Sequence, residues 1–143
     1  MKKNNRIKII ISTLLILLLA TTVVNAASGN ASVTSSLIVG KQGSIKITTN
    51  APGGAIDGSV SVSDSSVIRL STTRILVDTP ITDTTTSPSQ TITFDALKEG
   101  STKVTVSFKG QNLAGDNFTY SNEFTVTVKE KPASPKPQTN PKV

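Results

Sequence analysis

Ser101-Thr102-Lys103-Val104-Thr105-Val106-Ser107-Phe108 decides the fold. Val104, Val106 and Phe108 fall on one phase of this stretch, and Lys103, Thr105 and Ser107 on the other. Successive side chains of an extended chain point to opposite faces, so a strict period of two predicts a strand with one face in an oily interior and the other in water. Downstream, Phe124, Val126 and Val128 alternate with Thr125, Thr127 and Lys129. Upstream, Ile92 and Phe94 alternate with threonines, Val60 and Val62 with serines, and Ile45 and Ile47 with Lys46 and Thr48. Val, Ile, Thr and Phe suit a pleated surface buried on one side.

Turn chemistry separates these runs. Gly40-Lys41-Gln42-Gly43, Asn50-Ala51-Pro52-Gly53-Gly54, Asp64-Ser65-Ser66, Lys98-Glu99-Gly100 and the stretch from Gly110 to Asn117 each break the alternation. Many short strands at such spacing predict an all-β antiparallel sandwich. No sustained 3.6-residue period follows residue 27, and Asp95-Ala96-Leu97-Lys98 is expected to make at most one helical turn. The polar segment from Asp78 to Gln90, with Pro80 and Pro88, reads as a solvated crossover loop between two sheets. The expected core is Val33, Leu37, Val39, Ile45, Ile47, Val60, Val62, Ile68, Leu70, Ile75, Ile92, Phe94, Val104, Val106, Phe108, Phe124, Val126 and Val128.

The two ends have a different character. Met1 to Lys8 is basic, and Ile9 to Ala20 is an apolar run, followed by Val24-Asn25-Ala26. This is the pattern of a cleavable signal peptide over residues 1–26, and the run is shorter than a membrane span needs. No Cys follows it to carry a lipid. After removal of the signal no membrane association is expected, and the localisation expected is secreted or extracellular, with cell-wall association. Residues 27–30 read as a short lead and residues 31–129 as the sandwich, so the domain as a whole covers 27–129. Residues 130–143 hold four prolines and three lysines with almost nothing apolar, and read as a disordered Pro/Lys-rich tail or linker.

Composition narrows function. The formal charge is +6, but residues 27–128 carry seven bases against eight acids. The positive charge belongs to the two ends, so no nucleic-acid partner is expected. The chain has no Cys and no His. That removes disulfides, thiolate metal sites and the commonest catalytic bases and nucleophiles. No Ser stands three residues before any lysine of the body, and the acids are scattered in turns, where Asp bonds its own backbone. The expectation is therefore no enzyme, no catalytic residue, no cofactor and no metal. Oxygen-rich loops can hold calcium, and Asp57, Asp64 and Asp116 are the acids from which a site across loops would be assembled. A Lys–Asn isopeptide bond needs its lysine inside, and Lys46 and Lys103 fall on the polar phase. Glycan-binding faces use exposed aromatic rings. Of Phe94, Phe108, Phe118, Tyr120 and Phe124, Tyr120 with its polar tip is the one candidate binding residue, although its parity leans inward.

Three stretches resemble bacterial immunoglobulin-like domains of the group 2 type. They are Val39 to Ile47, Gly58 to Leu70, and above all Gln90-Thr91-Ile92-Thr93-Phe94-Asp95-Ala96-Leu97-Lys98-Glu99-Gly100-Ser101-Thr102-Lys103-Val104-Thr105-Val106-Ser107. In that family an aromatic strand, an Ala-x-x-x-Gly corner and a small-residue strand follow one another in this way. The resemblance covers most of residues 31–128 and departs from the family at the polar loop 78–90. It implies an immunoglobulin-like antiparallel β-sandwich of the kind found in N-terminal modules of Gram-positive secreted and surface proteins, where further modules usually follow. The family brings no catalytic residues with it. Two readings of function stand: a surface or secreted spacer, adhesion or protein-interaction module, and a carbohydrate- or cell-wall-polymer-binding module.

Overall fold

The structure, a computed structural model, describes residues 26–135. The signal peptide expected over 1–26 lies outside the described residues except for its last position, as do residues 136–143 of the tail expected over 130–143. Nine strands follow in order: β1 (Ser28–Val33), β2 (Ser36–Ile38), β3 (Gln42–Asn50), β4 (Ala55–Val62), β5 (Ile68–Leu70), β6 (Arg74–Asp78), β7 (Gln90–Ala96), β8 (Gly100–Gln111) and β9 (Asn117–Lys129). They form a four-stranded sheet, β1-β3-β7-β5, and a five-stranded sheet, β2-β9-β8-β4-β6. Every pairing is antiparallel except β2 on β9, which is parallel. Each connection crosses from one sheet to the other, save the β8–β9 hairpin. With β1, β3, β7 and β5 in the places of strands A, B, E and D, and β9, β8 and β4 in those of G, F and C, this is an immunoglobulin-like sandwich.

The Ser101–Phe108 stretch lies in β8, between β9 and β4. A strand flanked on both sides buries one face along its length, which is why its alternation is the cleanest. Val104 and Val106 are fully buried, and Lys103 and Ser107 are exposed. Ile45, Ile47, Ile92 and Phe94 supply the opposite half of the interior from β3 and β7, and Val60, Ile75, Val126 and Val128 close it. Every buried hydrophobic side chain described lies between Ala31 and Val128.

Several details differ from the expectation. The first strand begins at Ser28, inside the stretch read as a lead, and pairs with β3 from Ser28↔Asn50 to Val33↔Ile45. Asp95 and Ala96 end β7, and the corner that follows is no helical turn. Both Leu97 and Lys98 donate their N–H groups to the Val67 carbonyl there. Val33, Leu37, Val39, Val62, Leu70 and Phe124 are partly rather than fully buried. They sit at strand ends or on strands with a neighbour missing on one side. The interior also takes in Ala31, Ala51, Ile56, Val67, Ala96 and Phe118.

The polar crossover from Thr79 to Ser89 is ordered by its own hydrogen bonds. Asp83 Oδ1 accepts from the N–H groups of Thr85 and Thr86 and from the Thr85 hydroxyl, each at 3.0 Å. The loop is also tied to the turn after β3. Gly53 N–H donates to Thr86 O at 2.9 Å, Thr79 N–H to Gly54 O at 3.0 Å, and Thr49 Oγ1 to Pro88 O at 2.8 Å.

Candidate functional site

Tyr120 lies on the inward phase of β9, directly opposite Phe108 of β8. Its ring stacks on that of Phe108 with centroids 5.1 Å apart and planes 26° from parallel. Phe118 meets Phe108 edge-on at 6.4 Å. Gly29 of β1 makes room for this cluster: a Cβ there would stand 2.5 Å from Phe108 and 3.2 Å from Phe118. Tyr120 is thus half-buried, one ring face is covered by Phe108, and it is not a free stacking platform.

The three acids considered for calcium do not come together. Asp57 is on the outward phase of β4, beside Lys109 of β8. Asp64 accepts the Ser66 N–H and hydroxyl at 2.9 and 2.6 Å, and these bonds hold its carboxyl below the usual range. Asp116 accepts from the Asn112 amide at 2.9 Å in the β8–β9 turn. Among the described residues no three His, Cys, Asp or Glu side chains are grouped to hold a metal ion. Lys46 and Lys103 point outward as their phase requires, and Lys103 Nζ lies 2.7 Å from Glu123 on the outer face. Hydrogen bonding to Glu123 raises the Lys103 pKa.

What distinguishes the molecule is how its sheet edges are finished. An edge strand presents unpaired N–H and C=O groups to any extended chain that arrives. On β6 two of those groups are occupied by one side chain: Leu76 N–H donates to Gln90 Oε1 at 3.1 Å, and Gln90 Nε2 donates to Arg74 O at 3.2 Å. A single amide from β7 therefore blocks the middle of that edge. On β1, Asn30 Oδ1 accepts the Ala31 N–H at 2.9 Å. The edge strand β5 is three residues long.

β9 is different. β2 pairs with its outer side only from Thr127 to Lys129, and β1 of the other sheet passes close beside the rest without pairing with it. The Thr127 N–H donates to Ser35 O at 2.8 Å, and Lys129 O accepts from Val39 N–H at 3.0 Å. The odd-numbered residues of β9 therefore aim their backbone groups away from β8. Since the β8–β9 register runs without interruption from Gly100↔Val128 to Gln111↔Asn117, the same holds for Asn117, Thr119, Ser121, Glu123 and Thr125. Among the described residues no strand pairs with them on that side. One of these donors is locally occupied: Glu123 N–H donates to Asn122 Oδ1 at 2.9 Å. The outward side chains beside this edge are Asn, Thr and Ser, with Glu123 the one charge.

Next to the start of this edge, the outer face of the five-stranded sheet forms an open groove of ≈ 520 Å³. Leu76, Asp57, Lys109 and Thr119 line it, and Leu76 is 53% exposed. The open edge was not foreseen residue by residue. A strand's own sequence reports which side chains are buried but not which strand lies beside it.

Scans of family models and of curated proteins find no match. Among solved structures, the chain is similar to native alpha-2-macroglobulin from Escherichia coli spanning domain MG7 to the C-terminus, with a TM-score of 0.48 and 14% identity over 73% of this chain. It spans 17% of that chain's length. It is also similar to the BIgI domain of beta protein from S. agalactiae, solved bound to CEACAM1, with a TM-score of 0.33 and 16% identity over 73% of this chain and 100% of that one. At such distances the sandwich assignment rests on the strand order itself.

Proposed function

We propose that the chain is an exported, non-catalytic bacterial immunoglobulin-like module of the group 2 type, which acts outside a Gram-positive cell as a spacer that docks a protein partner by strand addition. The carrying observation is the unpaired backbone edge of β9 from Asn117 to Thr125. Backbone groups there are arranged to pair with an extended segment, and alternate outward side chains set which segment fits. Export is supported by the basic start, apolar run and small-residue ending of residues 1–26. The absence of His and Cys from the sequence supports a non-catalytic role. The glycan-binding reading finds less support, because one face of the Tyr120 ring is covered by Phe108.

The test is binding by the chain from Ala27 onward. A panel of extended Thr- and Val-rich peptides, followed by fluorescence anisotropy, should yield binders that are lost in Ser121→Pro. That change removes an outward N–H and leaves the β8 ladder intact, as Pro on an exposed edge does. Purified peptidoglycan and a glycan panel should show no Tyr120-dependent binding. Saturable glycan binding abolished by Tyr120→Ala, with no peptide uptake, would replace this reading by the carbohydrate one.

A further inference from the structure

We infer that the partner for the β9 edge is a second copy of this chain, joined by antiparallel β9–β9 pairing about a two-fold axis at Ser121. This rests on the strand-addition reading above and specifies its occupant. The open segment runs from Asn117 to Thr125, and Ser121 is its midpoint, so this register alone uses the whole edge. Residues with outward backbone groups then face one another: Ser121 opposite Ser121, Thr119 opposite Glu123, and Asn117 opposite Thr125. In antiparallel pairing such opposed residues exchange both hydrogen bonds.

The side chains favour the same register. Glu123 is the one charged residue along the open edge, and here it meets an uncharged Thr119. A shift of the axis to residue 123 would set Asn117 and Thr119 against Lys129 and Thr127, whose outward backbone groups β2 and the chain before it already hold. A shift to residue 119 would leave the Glu123–Thr125 end unpaired. On the inward phase the Ser121 register sets Phe118 opposite Phe124 and Tyr120 opposite Asn122. Phe124 is only half-buried in the single chain, and an aromatic partner across the strand is among the favourable pairs. The edge also holds no Pro and no Lys, two residues that block self-pairing. Glu123 N–H is the one outward donor held by a side chain, and the exposed Asn122 amide that holds it is free to swing aside.

Charge changes at position 119 test both the occupant and the register in sedimentation equilibrium of the chain from Ala27 onward. Thr119→Lys places a cation opposite the partner's Glu123 twice per dimer; because Lys103 already pairs with Glu123 and Lys109 stands beside position 119, it should tighten dimerisation by only about two-fold. Thr119→Glu should weaken it by a similar factor. Both changes are on the exposed outer phase, and circular dichroism melts should show the fold intact. Ser121→Pro should abolish the dimer. A wild-type chain that stays monomeric to about 1 mM overturns the second-copy inference. If that monomer still takes up peptides at its edge, strand addition survives with another partner; if it takes up none, both readings fall. A dimer indifferent to the charge at 119 overturns the register and the inference with it.

Discussion

Gly43 and Phe94 stand directly opposite each other on β3 and β7, and both are buried. A Cβ on Gly43 would come within 2.4 to 3.0 Å of three atoms of the Phe94 ring. The Gly43 backbone is not in the left-handed region, so replacement by Ala meets a steric obstacle and no backbone strain. The ring is 1% exposed and has little space to retreat into. Gly43→Ala should therefore cost about 1–3 kcal/mol, the usual range for overpacking. Phe94→Ala should cost about 3–5 kcal/mol by leaving a cavity, a large part of the roughly 5–15 kcal/mol that holds a domain folded. In the double variant the new methyl enters the space the ring has left, and Ala is better than Gly in a strand interior. Adding Gly43→Ala to Phe94→Ala should thus be neutral or slightly stabilising. The difference in cost between the two backgrounds, about 1–3 kcal/mol, is the quantity to measure. Urea unfolding of the four proteins gives it from the midpoints, provided the m-values agree. If Gly43→Ala costs the same in both backgrounds, or nothing in either, the ring does not lie over Gly43 and the β3–β7 register is wrong.

Two other outcomes follow from particular contacts. Hydrogen bonds from Thr86, and then from Thr85, hold the Asp83 carboxyl well below its ordinary value of 3.8. Because the folded-state pKa is the lower one, the loop is stabilised above about pH 4 and loses that support as pH falls through 3.8 and below. Asp83→Asn should flatten this acid dependence, seen as amide exchange of residues 85 and 86 against pH, while an unchanged acid limb would show that another group titrates. Gln90→Ala should cost about 1 kcal/mol and, by freeing Leu76 N–H and Arg74 C=O, open the β6 edge. Light scattering should then show new association that Ser121→Pro does not suppress. A Gln90→Ala chain as monodisperse as its parent would show that the amide is not what closes that edge.

The sandwich was legible wherever a strand has neighbours on both sides. Val104, Val106, Ile45, Ile92 and Phe94 all point inward as the alternation required. Legibility failed at the margins for a physical reason: an edge strand is constrained by one ladder, so its residues need not be hydrophobic. Ser28-Gly29-Asn30 carries no strand signal of its own, yet it is in β1 because β3 offers it a partner. Ala31, Ala51 and Ala96 are buried by position rather than by hydrophobic patterning, since small side chains fit where backbones approach. Phe124 packs against the core as its phase requires but is only half-buried, because β2 ends before reaching it. Parity did indicate that Tyr120 leans inward. What parity could not supply was the strand order, and the candidate site is a consequence of strand order alone.

The most direct measurement is amide hydrogen exchange along β9 by NMR, at a dilution where the chain sediments as a monomer. Phe118, Tyr120 and Phe124 bond to β8 and should exchange slowly, while Thr119, Ser121 and Thr125 should exchange quickly. Equal protection of odd and even positions in the monomer would mean that this edge is already occupied, and nothing would be left there for a partner to bind.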